Sequence, residues 1–399
     1  MSQILERVLK RTWAQVSLDA ITNNYNQVRG LLAPKCRLMA MVKADAYGHG
    51  AVHVAQHLSA LGADYFGVSS IDEAMQLREG GLDAPVLVLG YTPAEFLQTL
   101  AENNITQTIY DVEQAGQFSR QAKQLGVTLK VHLKVDTGMA RLGLVAGQGN
   151  IEQTARQLWQ IYRLPGLEVE GIFTHFACAD DMESDYTQQQ FEIFNKVISA
   201  LEQMGARLPI KHCANSAATI SNPETHLDMV RVGLCLYGLY PNGQPVGSVA
   251  LQPAMQVKCI ISQIKWLEAD NSVSYGRTYK TDKSTKLAVI PIGYADGYSR
   301  ALSNRARVLV DGEYANVVGR VCMDMCCVDV SQIENIKTGD QVTIFGTSGD
   351  KFIPVDEIAN ILGTISYEIC CIIAKRVPRL YIKEGKPIGW LTHFNTRGI

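Results

Sequence analysis

Between residues 37 and 235, short apolar runs alternate with longer segments whose apolar positions recur every three to four residues. The short runs fall at 37–43, 64–69, 86–89, 106–110, 128–135, 168–175, 210–213 and 228–233, and read as strands. The segments 72–80, 94–103, 112–125, 150–162 and 185–204 carry the period of amphipathic helices. Eight strands, each but the last followed by room for a helix, predict an α/β protein with an N-terminal (β/α)8 TIM-type barrel. An open doubly wound sheet is the alternative arrangement of the same units.

The pattern changes at 241–255, where Pro241, Asn242, Gly243, Pro245 and Gly247 crowd together as in a linker. Beyond it, 256–266, 286–292, 306–310, 314–320 and 325–330 are short and β-rich, and Asp311-Gly312 is a hairpin signal between two of them. Helical patterns return at 355–362 and 365–374. The expected domains are therefore a barrel over 1–245 and a mostly-β C-terminal domain over 246–399. The strand-like run 12–18 and the helical run 19–32 fit either part, and the first 17 or so residues are candidates to pack with the second domain.

The 399 residues correspond to two or three domains at roughly 150 residues each. A hydrophobic fraction of 47% excludes a disordered chain. A net charge of −2 lacks the basic excess of a nucleic-acid or anionic-membrane binder. No run approaches the roughly 18 apolar residues of a membrane span, and residues 1–11 lack the apolar core of a signal peptide. The ten cysteines include no Cys-x-x-Cys, and Cys213, Cys235, Cys259, Cys370 and Cys371 sit in apolar runs. They read as the reduced thiols of a cytoplasmic protein, with the adjacent pairs Cys326-Cys327 and Cys370-Cys371 as core.

In a barrel, chemistry gathers where strands end and βα loops begin. That rule selects Lys43 after the first strand, Lys134, Asp136 and Arg141 at the fifth, His175 at the sixth, Asn215-Ser216 at the seventh, and Arg231 with Gly233 at the eighth. The loops after strands seven and eight offer the Ser216 hydroxyl and the amides around Gly233 and Leu234 to a phosphate. A phosphate there and a lysine on strand one suggest a phosphorylated aldehyde held as a Schiff base, for which pyridoxal phosphate is the obvious cofactor. Each residue also has a plain reading. Lys43 fits a solvated lysine, Arg231 a partner of Asp228, and His175 a rim histidine. Lys134 is in phase with Lys130, His132 and Asp136 as a surface polar stripe, and Tyr275 is a turn aromatic. His49, His53 and His57 share a helix face, but without a Glu after His49 or an outside ligand no metal is expected.

Taken together, these segments resemble the alanine racemases, the fold-type III pyridoxal phosphate enzymes. The resemblance runs in order through Ala40-Met41-Val42-Lys43-Ala44-Asp45-Ala46-Tyr47-Gly48-His49-Gly50, His132-Leu133-Lys134-Val135-Asp136-Thr137-Gly138-Met139 with Arg141, and Thr174-His175-Phe176-Ala177. It continues through His212-Cys213-Ala214-Asn215-Ser216-Ala217, Arg231-Val232-Gly233, Val273-Ser274-Tyr275-Gly276, Ile292-Gly293-Tyr294-Ala295-Asp296-Gly297 and Cys322-Met323-Asp324. It implies that Lys43 carries the cofactor and acts as the base on one face. Tyr275, contributed by the partner subunit of a homodimer with shared sites, is implied as the base on the other. Tyr47, Asn215, Ser216, Gly233, Leu234 and Tyr367 would bind the cofactor, most of them at its phosphate. Arg141 would meet the phenolic oxygen and the substrate, His175 would pack on the ring, and Arg231 would face the pyridine nitrogen. Met323 of the partner subunit would help hold the substrate carboxylate through its backbone amide, and Lys134 matches a position that is carbamylated in many members. Many members have glycine at the position of Ala140, which unsettles the Arg141 contact, and Arg277 beside Tyr275 is expected to bias the substrate entrance.

The chemistry accounts for this set. Racemisation takes a proton from one face and returns one to the other, so it needs two bases. Lysine and tyrosine both have free pKa values of about 10, which neighbouring cations would have to lower. A guanidinium only donates, so a pyridine nitrogen facing Arg231 would be unprotonated and a weaker electron sink. The expected activity is interconversion of L- and D-alanine, supplying D-alanine for peptidoglycan. A serine-preferring or broad-specificity racemase, a decarboxylase of the same fold and a non-catalytic pyridoxal phosphate-binding protein are the alternatives. The last of these would need neither the β domain nor Tyr275.

Overall fold

The computed structural model describes residues 9, 11–181 and 183–392; most of the stretch examined for a signal-peptide core, and the tail 393–399, lie outside them. The chain divides into two compact units. One comprises Thr22–Ala46 and Ala51–Leu251, and the other Met1–Ile21, Tyr47–Gly50 and Gln252–Ile399.

The first unit is a barrel of eight parallel strands: β1 (Arg37–Met41), β2 (Tyr65–Val68), β3 (Val86–Val88), β4 (Ile105–Ile109), β5 (Leu129–Asp136), β6 (Leu167–Phe173), β7 (Ile210–His212) and β8 (Met229–Val232). Each pairs in parallel with its neighbour, and β8 pairs with β1 in the register Arg231↔Met39. Backbone bonds from Asp228 N to Lys211 O (3.1 Å) and from Arg231 N to Ala214 O (3.0 Å) bring β8 against β7 and nearly close the ring. These are the eight strands predicted by the apolar runs; the run is continuous in β3, as a parallel strand buried on both faces allows, whereas β4, β5 and β6 carry polar residues. The two-residue strand Leu144–Val145 beside β5 was not foreseen.

Helices follow the first seven strands, from Ala51–Ala60 to the short Ser216–Ser221. Three of their starts are set by side-chain caps: Ser70 accepts from Glu73 N, Asp111 from Gln114 N, and Asn215 from Ala218 N. The barrel interior departs from the usual layers of branched apolar residues. His132, Lys134, Asp136, His212 and Arg231 are all buried. His132 Nδ1 lies 2.8 Å from Nε2 of His212, two strands away, and its ring centroid lies 5.9 Å from that of Tyr65 on β2, so the His132–Lys134–Asp136 stripe faces inward, correcting the surface reading. Alternation put these residues on one face, and barrel closure made that face the inner one.

The second unit is built on an eleven-stranded sheet. Arg307–Val310 and Glu313–Val318 form the expected hairpin, with Asp311 and Gly312 both at positive φ as a tight primed turn requires. The predicted run 256–266 is two strands, Met255–Ile260 and Gln263–Leu267. Thr12–Ser17 inserts between Met255–Ile260, antiparallel, and Arg379–Lys383, parallel. Gln341–Ser348, Arg379–Lys383 and Lys386–Leu391 lie outside the predicted strands. Gln341–Ser348 carries Gly346 at positive φ, and Lys386–Leu391 is an edge strand containing Pro387. Arg379–Lys383, the third, is paired to that edge by a tight Glu384-Gly385 turn.

Within this unit Arg379 is 1% exposed and donates to four backbone carbonyls: Gly48 (3.0 Å), Ile373 (2.6 Å), Ala374 (2.7 Å) and Val377 (2.6 Å). That fan of donors fastens the Tyr47–Gly50 segment to the strand side of the sheet. Gly48 itself is at φ +82°, and a Cβ there would collide with the Cys370 carbonyl oxygen. Gly48→Ala is therefore expected to destabilise the protein by about 3 kcal/mol or more, read as a lower urea midpoint. A midpoint within about 0.5 kcal/mol of the parent would contradict the packing described.

Candidate active site

Lys43 lies two residues beyond β1 and opens a turn whose geometry is rare. Ala44, Asp45, Ala46 and Tyr47 all have φ between 52° and 54°, a left-handed turn without glycine. Such residues cost roughly 1–2 kcal/mol each, so the surroundings must enforce the shape. Glu73 does part of this, its carboxylate accepting from Ala44 N (2.8 Å) and Ser69 N (2.6 Å). Asp45 accepts from Ala51 N at 2.7 Å and ties the turn to the helix behind it. Neither carboxylate was singled out from the sequence. Ser70-Ile71-Asp72-Glu73 reads there as a capping box, which hides the use of Glu73 on a neighbouring loop.

The same rim carries the other strand-end residues. Asp136 accepts from the amides of Gly138 (2.9 Å), Ala140 (3.0 Å) and Arg141 (3.1 Å), shaping the loop that holds Arg141. Ala140 sits at φ 56°, so this loop takes a glycine-favouring conformation with a methyl group in place. Ser216 Oγ accepts from Gly233 N at 3.0 Å, joining the loops after β7 and β8. The Asn215 side chain is engaged as a helix cap. Tyr47 and Tyr367, in the other unit, have ring centroids 6.1 Å apart. Tyr275 and Met323 are exposed in that unit, and their neighbours Ser274 and Cys322 touch at 3.4 Å. Arg277 turns back onto its own hairpin, its Nε donating to Ser272 Oγ at 2.9 Å.

Arg231 is the centre of the barrel interior. Its guanidinium donates to His212 Nδ1 (3.1 Å), His175 Nδ1 (2.9 Å), Thr174 O (2.9 Å) and Cys213 O (3.1 Å). It does not pair with Asp228, whose carboxylate accepts from Lys211 N. Because a guanidinium only donates, Nδ1 of both histidines must accept, and their remaining protons sit on Nε2. His212 Nε2 then donates to His132 Nδ1 at 2.8 Å, so His132 also carries its proton on Nε2, which faces Glu170 at 3.9 Å. His132 and His212 were passed over in the sequence because nothing there marks an inward-facing histidine as paired.

Burial and the Arg231 charge push all three histidines below their ordinary range, His132 to about 3. Lys134 lies 4.4 Å from the Phe173 ring centroid. Its amine is held well below the ordinary lysine range by burial, then by Arg231 and Arg141. Burial also lowers Arg231, to about 10, which leaves it charged at neutral pH. The charges of Arg231, Lys134, Arg141 and Lys43 all act on His175, so these groups share one site. Among the described residues, no carboxylate pairs with Arg231 or Lys134. The rim is thus a cationic site suited to an anionic ligand. His49 and His57, considered for a metal, are engaged with Tyr47 O and the Thr22 hydroxyl.

Comparison with known proteins bears on this site. Residues 16–241 match the family model described as alanine racemase, N-terminal domain, and 254–381 match alanine racemase, C-terminal domain. An alanine racemase of Clostridium perfringens strain SM101 is 45% identical over 95% of this chain and 97% of its own. The crystal structure of alanine racemase from Bacillus anthracis with bound L-Ala-P is 35% identical, with a TM-score of 0.91 over 97% of this chain and 98% of that one. A histidine racemase from Leuconostoc mesenteroides is 29% identical, with a TM-score of 0.85 over 94% and 98%.

The neutral histidines predict a pH dependence. In the unfolded chain each binds a proton below about pH 6.5, whereas the folded protein resists until much lower pH. The unfolded state therefore gains protons first as pH falls, and stability should drop by up to about 1.4 kcal/mol per pH unit per histidine. We expect a lower urea midpoint at pH 5.5 than at pH 7, with uptake of about two or more protons on unfolding at pH 5.5. Equal midpoints and no uptake would show that these imidazoles are not buried in neutral form.

Proposed function

This chain belongs to the alanine racemase family, and from that membership we propose that it interconverts L- and D-alanine, using pyridoxal 5′-phosphate held at the barrel rim. The observation that carries the reading is the rim itself, with Lys43 on an enforced turn and the buried cation Arg231 lacking a paired carboxylate. The cofactor, bound through Lys43, supplies an electron sink that acidifies the α-hydrogen of a bound amino acid. Its phosphate suits the Ser216 hydroxyl and the Gly233–Leu234 backbone, with Tyr47 and Tyr367 as further donors. Asn215 supports that cradle as the helix cap before Ser216. Arg231 suits the ring nitrogen and Arg141 the phenolic oxygen. Met323, through its backbone amide, and Arg141 suit the substrate carboxylate.

The protein's own groups handle the protons. Lys43 takes or returns a proton on one face of the α-carbon, and Tyr275 of the partner subunit acts on the other. His175 accepts from Arg231 through Nδ1, so its Nε2 proton is available to a phenol oxygen and stabilises it as phenolate. Burial and the Arg231 charge lower the Lys134 amine from the ordinary lysine range, which favours its attack on carbon dioxide to give a carbamate with release of one proton. A carbamate there would supply the negative charge that Arg231 and Arg141 lack. The proposed assembly is a homodimer with shared sites, operating in the cytoplasm, where its ten free thiols remain reduced, and feeding D-alanine to peptidoglycan synthesis. Among the described residues no helix is long and apolar enough to cross a membrane.

A second substrate reading has one observation behind it, the histidine racemase that shares this fold. A panel of L-amino acids incubated with the purified holoenzyme separates the two. We expect D-alanine to form fastest, and faster D-serine or D-histidine would overturn the named substrate. Carbamylation is tested by carbon-13 NMR after equilibration with labelled bicarbonate. A carbamate resonance present in the parent and absent in Lys134→Ala is expected, and no resonance would remove Lys134 from this role.

A further inference from the structure

The hairpin that carries Tyr275 is strained immediately before that residue. Ser274 has φ 64° and ψ −173°, a backbone region close to glycine-only. Its hydroxyl donates to Arg320 O at 2.7 Å and lies 3.4 Å from Cys322 Sγ. The segment it binds approaches closely because Gly319 is at φ +76°. A Cβ there would stand 2.7 Å from Val273 O and 2.9 Å from Ser274 Cβ. The rest of the turn is fastened too. Ser272–Val273 pairs with Tyr279–Lys280, and Arg277 Nε donates to Ser272 Oγ. Asn304 Nδ2 donates to Thr278 Oγ1 (3.1 Å), while Asn304 Oδ1 accepts from Gly319 N (2.6 Å). Tyr275 itself is 70% exposed, so packing of its own ring within this unit does not fix it. Its direction is set by its neighbours' backbone.

We propose that Ser274 is a positioning residue for Tyr275: the hydroxyl bond to the Arg320 carbonyl holds the strained backbone so that the phenol leaves the hairpin in one direction. The inference rests on the reading that Tyr275 is the second base. A serine in a glycine-only conformation persists only if the surroundings over-determine it, and here the over-determining bond comes from the same side chain. Glycine would adopt the backbone without strain and without the clamp. Alanine would keep the strain and lose the clamp.

That difference makes the test. Holoenzyme in deuterium oxide is given each alanine enantiomer separately, and the initial rate of α-hydrogen exchange is followed by proton NMR. Tyr275→Phe identifies which enantiomer depends on Tyr275. Ser274→Ala should slow exchange of that enantiomer about tenfold, the worth of one hydrogen bond, and leave the other within about twofold. Ser274→Gly should show the same selective loss with an unchanged or higher melting temperature, which a merely structural role would not produce. Independently of activity, amide hydrogen exchange over 272–280 should quicken in both variants. Selective loss in Tyr275→Phe with equal slowing of both enantiomers, or of neither, in the Ser274 variants would overturn the proposal. Unchanged hairpin exchange would overturn it whatever Tyr275→Phe shows. Equal slowing in Tyr275→Phe itself would instead overturn the two-base reading, and Ser274's catalytic consequence with it.

Discussion

A guanidinium buried without a carboxylate to neutralise it is the constraint on which the site depends. Arg231 offers only donors, so each group touching it must accept: two carbonyls and two imidazole Nδ1 atoms. That fixes the tautomers of His175 and His212, and through His212 the tautomer of His132. It also keeps all three rings neutral, because a second positive charge beside Arg231 in a low dielectric would be prohibitive. The chain of His175, His212 and His132 inside this barrel, where branched apolar side chains usually pack, is the accommodation of that one residue. Its uncompensated charge, with Arg141 close by, also explains why the rim suits an anionic ligand.

Two local strains flank the chemistry proposed. Ala44–Tyr47 turn left-handed directly after Lys43, and Ser274 takes a glycine-only conformation directly before Tyr275. Both bases of the two-base scheme thus stand beside backbone that the chain would not choose alone. Each strain has identifiable restraints, Glu73 and Asp45 at the first and the Arg320 carbonyl at the second. Length is relevant here as well. The chain beyond the barrel carries the proposed second base, with Tyr275, Met323 and the strands behind them in the C-terminal unit.

Much of the barrel was legible because strands buried on both faces, such as 38–42 and 86–89, appear as short apolar runs. The rim residues were legible because strand ends and loops could be located from those runs. Their connections were not. Lys134 and His132 alternate in phase whether they face solvent or interior, and only closure of the ring decides which. Glu73 serves a loop some thirty residues away, which local spacing does not reveal. In the second unit, Gln341–Ser348, Arg379–Lys383 and Lys386–Leu391 are placed by their pairing partners, and Gly346 and Pro387 interrupt the first and the last of them. Roles for Tyr275 and Met323 came from resemblance, since an exposed tyrosine in a turn has no physical signature by itself.

The central claim is that Lys43 and Tyr275 act from different chains on one substrate. It is tested most directly by co-expressing Lys43→Ala and Tyr275→Phe chains in equal amounts and purifying all dimers together. Random pairing makes half of the dimers mixed, each with one intact site, so about a quarter of the parent's racemase activity should return. Activity no higher than the sum of the two separate variants would show that the bases do not meet across subunits.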